Sequence, residues 1–222
     1  MSACHPIPDP PAPLVLGPRP RILVIKLATL GDLLLATPAL RALRRRYPDA
    51  RLDVLTTPEA ASLLADSPHV DRVHSVHLRP LGRDRDVRGR LGAVGDLAGL
   101  LVQLRRTRYD VAVLAHHLTL PGAPRKYRAL LAAVAPSQSV GLDNVRGSFL
   151  DVRVPDHGFG SRHEADYALD LAAALDAALP AGERGLHLAD LGWPEIAPAR
   201  LGAADPLCVA MHPGSGTYSV AR

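Results

Sequence analysis

The sequence predicts an α/β protein built on a Rossmann-like parallel sheet. Short apolar runs alternate with segments of helical periodicity between residues 21 and 179, and those runs are apolar on both faces. Strands buried on both faces need helices above and below them, which is the doubly wound layer arrangement. The composition agrees: 222 residues, 47% apolar and 22% charged, suffice for one sizeable core and exclude a disordered or collagen-like chain.

The elements follow in order. RILVIKL, Arg21 to Leu27, is rich in β-branched residues and bounded by Pro20 and Gly31, so it reads as a buried strand. From Asp32 to Arg46, Leu33, Leu34, Ala36, Leu40 and Leu43 recur at helical spacing, arginines fill the last turn and Pro48 closes it. Arg51 to Thr57 is the second strand, Glu59 to Ala65 a short helix opened by Pro58, and Val70 to Leu78 a third strand-like run. Arg79 to Gly92 mixes Arg, Asp and Gly and reads as a mobile, charged loop. A helix from Ala93 to Arg106 leads into a buried strand carrying Val111, Val113 and Leu114 and ending at His116. Then come a helix from Pro124 to Val134, two short strands at Gln138 to Leu142 and Leu150 to Val154, and an alanine-rich helix from Glu164 to Leu179.

This gives four regions: a disordered, proline-rich leader over 1–20, the Rossmann-like domain over 21–179, a glycine- and proline-rich linker over 180–205, and the opening of a second α/β unit over 206–222, with the strand Leu207 to His212. No apolar run approaches the roughly 20 residues that span a bilayer, and the amino terminus lacks the basic and apolar regions of a signal peptide. Cys4 and Cys208 form no disulfide framework, so a reducing cytoplasm is expected. The net charge of +4 suits anionic partners, but only 4% of residues are aromatic, which argues against a nucleic-acid platform.

Two turns could carry chemistry. KLATLGD, Lys26 to Asp32, joins the first strand to the first helix, where open α/β sheets bind ligands. Gly31 permits a tight turn or a close backbone approach, and Asp32 at the helix start is either a cap, the commoner role, or a carboxylate able to accept a proton. Spacing alone favours the cap. The turn is neither GxGxxG nor a Walker loop, which argues against a nicotinamide-dependent enzyme or a nucleotide-sugar epimerase. HPGSG, His212 to Gly216, follows the last strand, and Gly214, Ser215 and Gly216 could present backbone amides to a diphosphate, with Thr217 and Arg222 adding donors. The same residues also read as a plain glycine turn, and spacing does not choose. His74 with His77, and His116 with His117, lack metal-ligand geometry and are expected to be satisfied or at the surface. His163, Glu164 and Asp166 suit a helix start.

Together, RILVIKLATLGDLLLATPALRALRRRYPDARLDVLT and VAMHPGSG resemble glycosyltransferase family 9, the heptosyltransferase family, with SPHVDRVHSV, RYDVAVLAHH, SVGLDN and RHEADYALDLAAAL falling in the family's order. The resemblance covers residues 21 to 222. It implies a GT-B architecture of two Rossmann-like domains, with acceptor contacts on the first and nucleotide-sugar contacts on the second. It further implies inverting transfer of a heptose-type sugar from a nucleotide donor, typically ADP-heptose, to a lipopolysaccharide-core or related lipid-linked glycan. On this resemblance Asp32 is the general base, Thr29 and Gly31 shape the acceptor side, and His212, Gly214, Ser215, Gly216, Thr217 and Arg222 face the donor phosphates, with no obligatory metal. The family's base-reading residues would fall beyond Arg222, so the 222 residues alone are expected to show no transfer. A non-catalytic glycan-binding module on the same scaffold is the competing reading. Peripheral contact with the inner membrane face follows from the lipid-linked acceptor.

Overall fold

A computed structural model describes residues 11–77, 87–158 and 160–193. Six parallel strands, β1 (Arg21–Ile25), β2 (Arg51–Thr56), β3 (Arg72–Ser75), β4 (Val111–Leu114), β5 (Gln138–Asp143) and β6 (Val152–Pro155), lie in the order β3-β2-β1-β4-β5-β6. Every neighbouring pair is parallel, so each connection must cross a face of the sheet, and helices supply the crossings except between β5 and β6, which residues 144–151 join without a helix.

Strand side chains alternate between two cores. Ile22, Val24, Leu52, Val54, Val111, Val113 and Val140 face α1 (Leu30–Leu34), α2 (Thr37–Arg46) and α6 (Glu164–Ala173). Leu23, Ile25, Leu55, Ala112 and Leu114 face α4 (Val87–Thr107) and α5 (Ala123–Val134). The predicted double-sided burial is thus what the sheet shows. A short α3 (Pro58–Ala61) and a 3₁₀ turn, Ser62–Leu64, follow β2.

Three predicted boundaries move. The expected helix over Asp32 to Arg46 is two helices, because Pro38 has no N–H to give Leu34 and its ring cannot follow an unbroken turn. The Thr37 hydroxyl donates to the Leu34 carbonyl instead, at 2.9 Å. Within the expected loop Arg79 to Gly92, residues 87–92 are helical, and 79–86 lie outside the described residues. Gly92, Gly95 and Gly99 face open space in α4, where glycine costs about 1 kcal/mol each relative to alanine, which a packed helix can carry. The expected helix Glu164 to Leu179 ends at Ala173, because Asp176 adopts φ 58° and the carbonyls of Ala174 and Leu175 bond instead to Leu14 N–H and the Tyr47 hydroxyl.

The stretch expected to be a linker begins tied to the domain. Turns at Ala181–Glu183 and Leu188–Leu191 bring Asp190, 2% exposed, against Arg41 and His69, while the Ser67 hydroxyl donates to the Asp190 carbonyl at 2.6 Å. Gly192, at φ 75°, closes the strap, and a Cβ there would stand 2.1 Å from the Asp66 carbonyl oxygen. Within the proline-rich leader, Leu14 and Leu16 pack on the same core.

Candidate active site

The chain leaves β1 toward β2 but leaves β4 toward β5, so the loops after β1 and β4 part and open a crevice at the carboxyl edge of the sheet. The β1–α1 turn is pinned there from both sides. Thr56 and Thr57 hydroxyls donate to the Lys26 and Ala28 carbonyls at 2.8 and 3.1 Å, and Leu27 N–H donates to His116 Nε2 at 2.6 Å.

Asp32 is the third residue of α1 and closes a capping box with Thr29. Thr29 N–H and Oγ1 both donate to Asp32 Oδ2, at 3.2 and 2.7 Å. Oδ1 takes no hydrogen bond among the described residues. Asp32 is therefore a cap on one oxygen and open on the other, so the cap and base readings are compatible. Gly31 adopts ordinary helical backbone with nothing within 4 Å of a would-be Cβ, so the turn does not need its conformational freedom. Its effect is to leave the surface beside Asp32 clear.

Behind the turn, Lys26 is 9% exposed. Burial lowers its pKa, while Glu164 and Asp32 pull it back up, which places the ammonium in the field of both carboxylates. His116 stacks on Tyr127 at 4.9 Å, and burial, with Lys26 and Lys126 nearby, holds its pKa well below normal. A neutral ring is what accepting the Leu27 N–H requires.

His117 is the contrary case. Its Nδ1 lies 2.9 Å from Asp156 Oδ1 and its Nε2 3.1 Å from Glu164 Oε1, with Tyr167 edge-on at 4.7 Å. Both ring nitrogens can donate only as imidazolium, and the Asp156 hydrogen bond raises the pKa against the cost of burial. Burial works against ionisation of Asp156, but His117 and the Gly158 N–H outweigh it and hold the carboxyl below the ordinary range. Its Oδ2 is buried with no hydrogen-bond partner among the described residues.

Linkage gives a direction. The raised pKa means that His117 contributes stability below its unfolded value near 6.5 and loses it as pH rises through the folded value. Thermal unfolding of wild type and His117→Gln across pH is expected to show a gap that is widest on the acid side and narrows as pH rises. A gap independent of pH would show that the ring is held neutral.

Thr29, Gly31 and Asp32 sit together at the crevice. His163 caps α6 by accepting from Ala165 N–H at 3.3 Å, with Glu164 and Asp166 in the first turn. His74 is buried beside Asp53 in the α4/α5 layer, and His77 is exposed. His212, Gly214, Ser215, Gly216, Thr217 and Arg222 lie outside the described residues. No group of three His, Cys, Asp or Glu side chains is placed to hold a metal among the described residues. Lys26, His117, Asp156 and Glu164 were not legible as a site. The available signal was the pair His116–His117 following a strand that flanks the switch point.

No protein-family model matches the chain. An 83-residue stretch, 37% of this chain and 22% of the relative, is 26% identical to lipopolysaccharide heptosyltransferase 3 of Escherichia coli strain K12. The E. coli heptosyltransferase WaaC solved with ADP has the same fold, with a TM-score of 0.62 and 21% identity over 77% of this chain and 51% of that one. A glycosyl transferase family 9 structure from Veillonella parvula DSM 2008 superposes with a TM-score of 0.54 and 17% identity over 74% of this chain and 43% of that one. The matched stretch thus spans about a fifth of the curated relative, and the fold match about half of the solved structures. Over those 83 residues the chain is similar in sequence to a heptosyltransferase, and it has the α/β fold of the part of the solved structures that it covers.

Proposed function

We propose that this chain belongs to an inverting glycosyltransferase that moves a heptose-type sugar from a nucleotide donor, ADP-heptose, to a hydroxyl of a lipopolysaccharide-core or related lipid-linked glycan. One coincidence carries the reading: a chain with heptosyltransferase likeness places an open carboxylate oxygen, Asp32 Oδ1, at the crevice where such sheets bind ligands.

Asp32 Oδ1 takes the proton of the acceptor hydroxyl while its oxygen attacks the anomeric carbon from the face opposite the leaving diphosphate, so one displacement inverts the centre. Thr29 fixes the carboxylate by holding Oδ2, and the clear surface at Gly31 admits the acceptor. Lys26 and the imidazolium of His117 balance the carboxylates of Asp32, Glu164 and Asp156 at the crevice wall. The donor diphosphate would meet the amides and hydroxyls of His212, Gly214, Ser215, Gly216 and Thr217, with Arg222 as a cation. No step needs a metal.

The test is transfer by the protein in the form its cell produces, incubated with ADP-heptose and a delipidated core oligosaccharide, and read by mass spectrometry and by the anomeric configuration of the product. A product heavier by one heptosyl group, with inverted configuration, is expected. Acceptor binding without donor consumption would favour the non-catalytic glycan-binding module instead.

A further inference from the structure

Beside α5 the sheet is crossed by a loop where a doubly wound fold lays a helix. β5 and β6 are parallel neighbours joined by residues 144–151 alone, so one flank of α5 has only that loop against it. The loop is fixed at three points. Gly147 N–H donates to Asp143 Oδ1 at 2.8 Å, Leu150 N–H to the Gly147 carbonyl at 2.9 Å, and Arg146 Nη1 to the Thr119 carbonyl at 2.7 Å. Gly141 in β5 lets the loop settle on the sheet, because a Cβ there would meet Leu150 Cδ1 at 2.8 Å.

A loop is thinner than a helix, and a cleft of about 340 Å³ stands between it and α5, lined by Arg128, Leu131, Ala132, Ser148 and Phe149. That volume lies at the small end of the roughly 300–1,000 Å³ of ligand pockets and has room for one ring-sized body. Leu131 is buried, Phe149 is half-buried against the α4/α5 core, and with Ala132 they form an apolar wall. The Arg128 guanidinium and the Ser148 hydroxyl, both exposed, make no hydrogen bond or ion pair among the described residues. The two carboxylates that flank the loop in sequence are engaged: Asp143 with the Gly147 N–H and Arg153, Asp151 with Ser139. A planar guanidinium beside a hydroxyl matches a carboxylate in shape and charge. A phosphate dianion would leave half its charge unmatched by the single cation of the lining.

We propose that this cleft binds a small aromatic monocarboxylate, its ring against Leu131, Ala132 and Phe149 and its carboxylate across Arg128 and Ser148. Ring against Phe149 adds to the burial. The cleft lies on the α4/α5 layer, whereas Asp32 belongs to α1 on the other layer. The transferase reading therefore neither uses this site nor depends on it.

The experiment is a fluorine-observed NMR titration of the natively produced protein with 4-(trifluoromethyl)benzoate, and with its uncharged amide as the isosteric control. The acid is expected to bind with a dissociation constant on the order of 1 mM or tighter, as suits so small a ligand, and the amide about tenfold more weakly. Arg128→Gln is expected to weaken the acid about tenfold and leave the amide unchanged, so that the two become equal. Arg125→Gln removes the same charge from α5 outside the lining and is expected to change neither by more than about twofold. Ala132→Phe fills the cleft and is expected to abolish both. Arg128 and Ala132 are exposed on α5, so neither change enters the core. No binding by the parent would show a water-filled cleft only and overturn the proposal. Equal binding of acid and amide by the parent, equal losses in Arg125→Gln and Arg128→Gln, or tighter binding of phenyl phosphate than of the acid would also overturn it. Self-association of the parent that Ala132→Phe abolishes would give the cleft to a second copy of the chain, with the same consequence.

Discussion

Asp32→Asn in the natively produced protein is expected to lower the turnover of heptosyl transfer by about 10²- to 10⁴-fold, the usual worth of a positioned general base. KM for the donor is expected to stay within about twofold, because the lost step is proton removal and not binding. The fold should hardly notice. The Asn side-chain oxygen can still accept the Thr29 N–H that Asp32 Oδ2 accepts at 3.2 Å, so the capping box survives at a cost of about 1 kcal/mol or less. The pairing of lost rate with retained stability separates the two roles that the sequence leaves open. A variant that unfolds, or one that turns over as fast as the parent, assigns Asp32 to capping alone. Thr29→Val sharpens the point: it removes the 2.7 Å hydroxyl bond to Oδ2 and frees the carboxylate to rotate, so a smaller loss of rate with the base still present is expected.

Much of the scaffold is legible in the chain because burial on both faces leaves an unambiguous signature. RILVIKL, RLDVLTT and YDVAVLAHH can only be interior strands, and each forms one. The start of α4 escapes because the mix of Arg, Asp and Gly up to Gly92 reads as a loop, whereas the cost of Gly92 in a helix is small when nothing must pack against a Cβ. The break before α2 was present in the sequence as Pro38 but was masked by the apolar spacing around it. The site divides the same way. Thr29 and Asp32 are three apart, within reach of local reading, and form the box that spacing allows. His117 meets Asp156 and Glu164 across 39 and 47 positions, and no local pattern reports contacts of that range.

The same limit hides Asp53, whose removal is expected to be the most destabilising single change among these networks. Asp53 is fully buried in β2 on the α4/α5 face, in register with Leu23 of β1, a position where the strand pattern calls for an apolar residue. It is tolerated because four donors surround it. The Tyr109 hydroxyl reaches Oδ2 at 2.6 Å, His74 Nε2 lies 3.3 Å from Oδ2, and Arg51 Nε and Nη2 approach the same carboxylate at 3.1 and 2.9 Å. Burial alone would raise its pKa, but the bonds from His74, Arg51 and Tyr109 prevail and leave it lowered, while burial and Asp53 keep Tyr109 protonated as a donor. Asp53→Ala strands the buried Tyr109 hydroxyl and His74 ring in an apolar layer, while Arg51, 38% exposed, can turn to solvent. At about 1–3 kcal/mol for each stranded donor, with the bond to Arg51 also lost, the change costs about 3–5 kcal/mol. In a chain of this size that corresponds to a fall in Tm of roughly 6–20 °C. Tyr109→Phe removes one donor and is expected to cost about half as much, roughly 1.5–3 kcal/mol. Because the folded carboxyl titrates below its ordinary value of 3.8, its contribution is present at neutral pH and is lost as pH falls through the folded value. Wild type is therefore expected to lose stability in acid more steeply than Asp53→Ala, so that their unfolding curves converge toward low pH. Parallel curves, or a Tm within a degree or two of wild type at neutral pH, would show that the carboxylate adds nothing to the fold.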